Sequence, residues 1–99
     1  MNIVKPLLTL VIPFYNEAPS LAELLPRVKD NLEQFDITYE VLLIDDASTD
    51  ESAAVVKHFV SKNKDKKFKL ISMDINSGQT GCFKKAFSEA SGEYIIRMA

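Results

Sequence analysis

The 99-residue sequence carries one cysteine, three glycines and no tryptophan. A lone Cys82 excludes an internal disulfide and any zinc site built from cysteines alone. Twelve basic residues against fourteen acidic ones leave a formal charge of −2. No cationic surplus therefore exists for a sequence-independent grip on nucleic acid or anionic lipid. Long hydrophobic runs are missing too. Leu7 to Ile12, broken by Thr9, and Val41 to Ile44 fall far short of the ~20 apolar residues that span a bilayer. One lysine ahead of Pro6 and no small-residue cleavage site give no signal peptide. These absences lead to the expectation of a single-core domain in a reducing, cytoplasmic compartment.

Four short apolar segments alternate with three amphipathic ones. Leu7 to Ile12 is nearly continuous in hydrophobicity and closes at Pro13, as a strand covered on both faces would. Val41-Leu42-Leu43-Ile44 repeats the pattern and stops at Asp45-Asp46. Lys69 to Met73 and Tyr94 to Met98 are less apolar and read as strands nearer an edge. Between them the period becomes helical. Leu21, Leu24, Leu25, Val28, Leu32 and Phe35 form one stripe, and Ser20 with Glu23 has capping-box spacing, which predicts a helix from Leu21 that Pro26 bends or delays. Ser48 and Glu51 offer a second capping box ahead of Val56, Phe59 and Val60. Phe83, Ala86, Phe87 and Ala90 form a third stripe, with Gly92 at the C-cap position. Lys62 to Lys69, with five lysines, reads as a solvated loop. The β-α-β-α-β-α-β alternation predicts a Rossmann-like three-layer α/β unit with a parallel sheet in the order 3-2-1-4 and strand one inside it.

Ligands of open parallel sheets bind beyond the carboxyl ends of the strands. The unusual residues follow those ends: Pro13-Phe14-Tyr15-Asn16-Glu17 after strand one, Asp45 to Asp50 after strand two, and Asp74 to Gly78 after strand three. Converging carboxylates and an aromatic ring suit a polar ligand with a flat base. Tyr15 or Phe14 could stack on it, and a carboxylate could accept a ring N–H or a sugar hydroxyl. Glycine-rich phosphate cradles are excluded, since Pro13 to Ser20 contains no glycine and none of the three glycines sits in a P-loop setting. A metal ion is then the most direct way to neutralise phosphates.

Leu10 to Glu17 and Glu40 to Asp50 resemble the two opening motifs of family 2 glycosyltransferases. Asn76-Ser77-Gly78-Gln79-Thr80 is similar to the stretch found in the branch that glycosylates polyprenyl phosphates, the dolichol-phosphate mannosyltransferase relatives, and Gly92 to Ile96 resembles the family's fourth strand. The resemblance implies one half of a GT-A fold and a nucleotide-sugar donor linked to UDP or GDP. Of the residues quoted, Pro13, Phe14, Tyr15, Asn16, Glu17, Asp45, Asp46 and Gly78 would form the nucleotide-sugar site. Asp46 matches the position that recognises the base, and Asp45 more often braces the loop. The metal-binding D-x-D is expected immediately after Met98, where this sequence has Ala99 and ends. Residues 1–99 are therefore expected to be a single nucleotide-sugar-binding domain cut short before that motif. No catalytic residue and no metal ligand are expected within it; Mg2+ or Mn2+, a membrane or lipid acceptor and the general base belong to the full-length parent.

The implied parent transfers a sugar, with inversion, most directly to polyprenyl phosphate at the cytoplasmic face of a membrane. Two readings stand beside it: a family 2 enzyme that extends a polysaccharide or glycan, and a non-catalytic nucleotide-binding or assembly module. An unpaired fourth strand would also give the chain a route to a homo-oligomer. Asp45 and Asp46 could instead cap the following turn, Glu17 could serve a helix N-terminus, and Asn76 and Gly78 could only shape a turn. His58 and Cys82 lack chemical partners in sequence and read as surface or packing residues.

Overall fold

A computed structural model describes residues 5–64 and 67–98. Four strands, β1 (Leu8–Phe14), β2 (Tyr39–Asp45), β3 (Phe68–Ser72) and β4 (Tyr94–Arg97), alternate with helices α1 (Ala18–Glu33), α2 (Ser52–Lys62) and α3 (Gly78–Glu89). The sheet is wholly parallel in the order β3-β2-β1-β4. The two most continuously apolar segments thus take the two inner positions, as their double-sided hydrophobicity requires.

Alternation within each strand divides the core in two. Leu10, Ile12 and Phe14 of β1 and Val41 and Leu43 of β2 pack with Leu21, Leu25 and Val28 of α1 and Val56 of α2. Val11, Leu42 and Ile44 point the other way, onto Cys82, Phe83 and Ala86 of α3. The result is the expected three layers, with Val41 to Ile44 fully buried. Pro13 lies inside β1 rather than beyond it. Leu7 and Val11 accept N–H bonds from Tyr94 and Met98, so Pro13 faces the β4 side, and its missing N–H ends that ladder while β1 continues against β2 to Phe14.

Several helix ends differ from the sequence pattern. Helix α1 begins at Ala18, three residues before Leu21, because Pro19 suits a first turn and Leu21 N–H already bonds to the Glu17 carbonyl. Ser20 is then inside the helix and caps nothing. Pro26 is accommodated on the exposed side, where the Ala22 carbonyl it deprives of an N–H can bond to water. Phe35 falls past the helix end and is 63% exposed, and Phe87 is likewise turned outward. Gly92 is not the C-cap of α3, which ends at Ala90 in extended geometry. It is a close-approach glycine: a Cβ there would sit 2.6 Å from Thr9 N and Oγ1. Part of the lysine-rich stretch (65–66) and Ala99, where the D-x-D was expected, lie outside the described residues.

Candidate functional site

The loops after β1, β2 and β3 meet at one rim, and hydrogen bonds between them fix their geometry. Asp45 braces its own turn, its Oδ1 accepting the Ser48 N–H at 2.8 Å. That turn places Ala47 at φ +63°, a left-handed conformation that costs an alanine on the order of 1 kcal/mol. Asp46 joins the second loop to the third. It is 6% exposed, and its two carboxylate oxygens accept N–H bonds from Ser77 (2.6 Å) and Gly78 (2.9 Å) at the start of α3. The anion therefore sits at the positive end of a helix. Asn76 adds a bond from its amide to the Asp46 carbonyl. Gly78 has φ +73°, and this left-handed turn belongs to the same grip.

The first loop is tied to the second. Asn16, at φ +50°, donates its backbone N–H to Ser48 Oγ, and its side-chain oxygen accepts the N–H groups of Thr49 and Asp50. Glu17 N–H bonds to Ser52 Oγ at 2.8 Å. Ser48 is thus the hydroxyl that holds the first loop, not the cap of α2. The N-cap residue Glu51 makes no side-chain cap bond; Asp50, just ahead of it, accepts the Ser52 N–H with its carboxylate. The pKa of Asp50 is held below the ordinary range, chiefly by the Ser52 hydroxyl.

Between these loops lies a small cavity of about 100 Å³ lined by Pro13, Phe14, Tyr15, Glu17, Asp46, Gln79 and Cys82. Five of the eight sequence-predicted site residues line it. Asn16, Asp45 and Gly78 do not; they build its frame. Phe14 is buried in the core, whereas Tyr15 is 44% exposed and has a ring face to offer. Sequence reasoning did not assign Gln79 or Cys82 to the site. Their spacing of three, one helical turn along α3, was the available signal. Cys82 is fully buried, and burial, followed by the charge of Asp46 and the thiol's bond to it, pushes its pKa up to about 11. It is a neutral floor for the cavity and not a nucleophile.

A wider cleft of about 540 Å³ opens at the opposite pole, beside Leu32, Phe35, Tyr39, Glu40 and Lys67. It lies at the amino ends of the strands, away from the loop rim where open parallel sheets bind ligands. Its Glu40 carboxylate is already engaged by Thr9 and Ser91. Among the described residues no group of three His, Cys, Asp or Glu side chains could hold a metal ion.

The sequence model of glycosyl transferase family 2 matches residues 9–99. The chain belongs to that family. Among curated relatives, the undecaprenyl-phosphate 4-deoxy-4-formamido-L-arabinose transferase of Sodalis glossinidius is 36% identical over 90 residues, covering 91% of this chain and 27% of that protein. The transferase of the same name from Pseudomonas syringae is 33% identical over 90 residues, covering 91% and 26%. The chain thus spans about a quarter of the length of these family members. Among solved structures, the mannosyltransferase PcManGT from Pyrobaculum calidifontis, in complex with GDP-Man and Mn2+, superposes with a TM-score of 0.75 at 28% identity, over 93% of this chain and 26% of that one. S. aureus TarS residues 1–349, in complex with UDP, superposes with a TM-score of 0.67 at 24% identity, over 92% and 26%, a likeness of fold. The four-stranded parallel sheet in the order 3-2-1-4 is that of GT-A glycosyltransferases.

Proposed function

We propose that this chain forms the donor-nucleotide site of an inverting sugar transferase whose acceptor is a polyprenyl phosphate. The observation that carries the reading is the convergence of Tyr15, Glu17 and Asp46 on one cavity at the carboxyl ends of β1 and β2. In this reading Tyr15 stacks on the base of a UDP- or GDP-linked sugar. The free lone pairs of Asp46 accept a ring N–H, and Glu17 accepts a sugar hydroxyl. The acceptor oxygen attacks the anomeric carbon as the bond to the nucleoside diphosphate breaks. A phosphate acceptor is already anionic and needs no added base. The relatives named for undecaprenyl phosphate support that acceptor class, and such a lipid would bring the reaction to the cytoplasmic face of a membrane. No helix among the described residues is long and apolar enough to cross a membrane. PcManGT was solved with Mn2+, which supports a divalent metal in the whole enzyme. The described residues do not themselves compose a metal site.

Saturation-transfer NMR with UDP, GDP and ADP tests the reading. Stacking a base on an aromatic ring is worth ~1–3 kcal/mol, so Tyr15→Ala should weaken nucleotide binding by about fivefold or more. Absence of any binding at millimolar nucleotide, or binding unchanged by Tyr15→Ala, would overturn it.

A further inference from the structure

We infer that Asn16 is a positioning residue that locks the first loop to the second, and so aims Tyr15 and Glu17 at the cavity, without touching the nucleotide itself. The inference rests on the donor-site reading above and assigns Asn16 a different role from its cavity-lining neighbours. Its side-chain oxygen accepts two consecutive N–H groups, from Thr49 at 2.8 Å and Asp50 at 3.1 Å, which uses both lone pairs of an amide oxygen. Its side-chain nitrogen donates to Thr49 Oγ1 at 3.2 Å. The N–H groups of the two peptides that flank the Asn16 Cα, Asn16 to Ser48 Oγ and Glu17 to Ser52 Oγ, complete a five-bond seam between loops that lie more than thirty residues apart. The left-handed φ of +50° is what turns the side chain toward the second loop. Asparagine, like aspartate, adopts that conformation more readily than other side-chain-bearing residues and carries an acceptor there. Asn16 does not line the cavity, whereas Tyr15 and Glu17, its immediate neighbours, both do. The alternation is the mark of a clamp flanked by two contact residues.

Two variants separate a clamp from a ligand contact. Asn16→Gly keeps the backbone conformation and removes the side chain. Asn16→Asp keeps an acceptor for both N–H groups and lets the Thr49 hydroxyl turn to donate, but it has no N–H to offer a nucleotide. Binding of UDP and GDP is measured by titration at 0.15 M salt, with amide hydrogen exchange at Thr49 and Asp50 in the ligand-free protein. Asn16→Gly should weaken nucleotide binding by about five- to tenfold and speed exchange at both amides by about fivefold or more. Asn16→Asp should keep both amides protected and bind within about threefold of the parent, the remaining loss being screened repulsion of the diphosphate. Equal loss of binding in both variants would make Asn16 a ligand contact and overturn the inference, as would unchanged binding in Asn16→Gly. If the unsubstituted chain binds neither nucleotide, the donor-site reading fails on its own. Exchange at Thr49 and Asp50, with the Tyr15 and Glu17 amide shifts, still decides the clamp: faster exchange and displaced shifts in Asn16→Gly alone uphold it, and no change in either removes it.

Discussion

Asp46 presents a carboxylate to the cavity and, with the same two oxygens, takes the first free N–H groups of α3. Removing it therefore has a consequence that needs no ligand. In Asp46→Asn one oxygen becomes an NH2 group facing an N–H donor, so a charge-assisted bond is replaced by a donor–donor contact. Bonds to a charged acceptor are worth ~1.5–3 kcal/mol, and a loss of about 2 kcal/mol of unfolding free energy is expected. Urea unfolding of the nucleotide-free variant measures it; an unchanged midpoint and slope would mean that the α3 grip contributes nothing. The division between contact and frame was only half legible from residue types. Tyr15, Glu17 and Asp46 stand out as an aromatic and two acids at strand ends, and all three line the cavity. A turn-shaping role was one of the readings open for Gly78, since glycine suits a left-handed φ. The frame role of Asn16 was not legible, because its side-chain partners are the N–H groups of a loop more than thirty residues away.

At the scale of elements, periodicity located all three helices and hydrophobic runs all four strands, but the ends moved. Capping-box spacing points to helix starts at Ser20 and Ser48. The chain instead uses Pro19 for the first turn of α1 and Asp50 ahead of α2, while Ser48 is taken by the first loop. A cap is a competition among partners, and distant ones win where the fold brings them close. Glu40 shows the same at the other pole. Its carboxylate accepts bonds from the Thr9 hydroxyl, the Ser91 N–H and the Ser91 hydroxyl, tying β2 to β1 and to the turn before β4. Thr9 Oγ1 in turn accepts the Gly92 N–H. Burial opposes ionisation of Glu40, but the Ser91 and Thr9 bonds and the charge of Lys69 outweigh it and hold the carboxyl below the ordinary range. A depressed native pKa adds stability above the unfolded value near 4.5, and that stability is lost as pH falls through the lowered native value. Glu40→Gln should thus cost about 1–2 kcal/mol at pH 7, with the gap to the parent closing as pH drops below the carboxylate range. Thermal melts across pH 3 to 7 check this; a gap independent of pH would show that the charge is irrelevant.

Across the whole molecule, strand order was the most legible feature, since only two segments are apolar on both faces and those must be the inner pair. The exposure of the fourth strand follows from the same order. Tyr94, Ile95 and Ile96 are 64%, 40% and 53% exposed, on the strand that forms one edge of the sheet among the described residues. Exposed apolar edges recruit further strands. Sedimentation should therefore show concentration-dependent self-association that Ile96→Lys suppresses; a monomer at every concentration would contradict it. At the carboxyl ends of the strands lies the rim, where three loops far apart in sequence are bound into one surface by Asn16 and Asp46. The central claim, that this rim is the donor-nucleotide site, is tested most directly by titrating the isotope-labelled chain with UDP and GDP and mapping the amide shifts. Shifts concentrated at residues 13–17, 45–50 and 77–82, saturating at sub-millimolar to millimolar nucleotide, are predicted. Shifts gathered at the cleft beside Leu32 and Tyr39, scattered over the surface, or absent at several millimolar would contradict it.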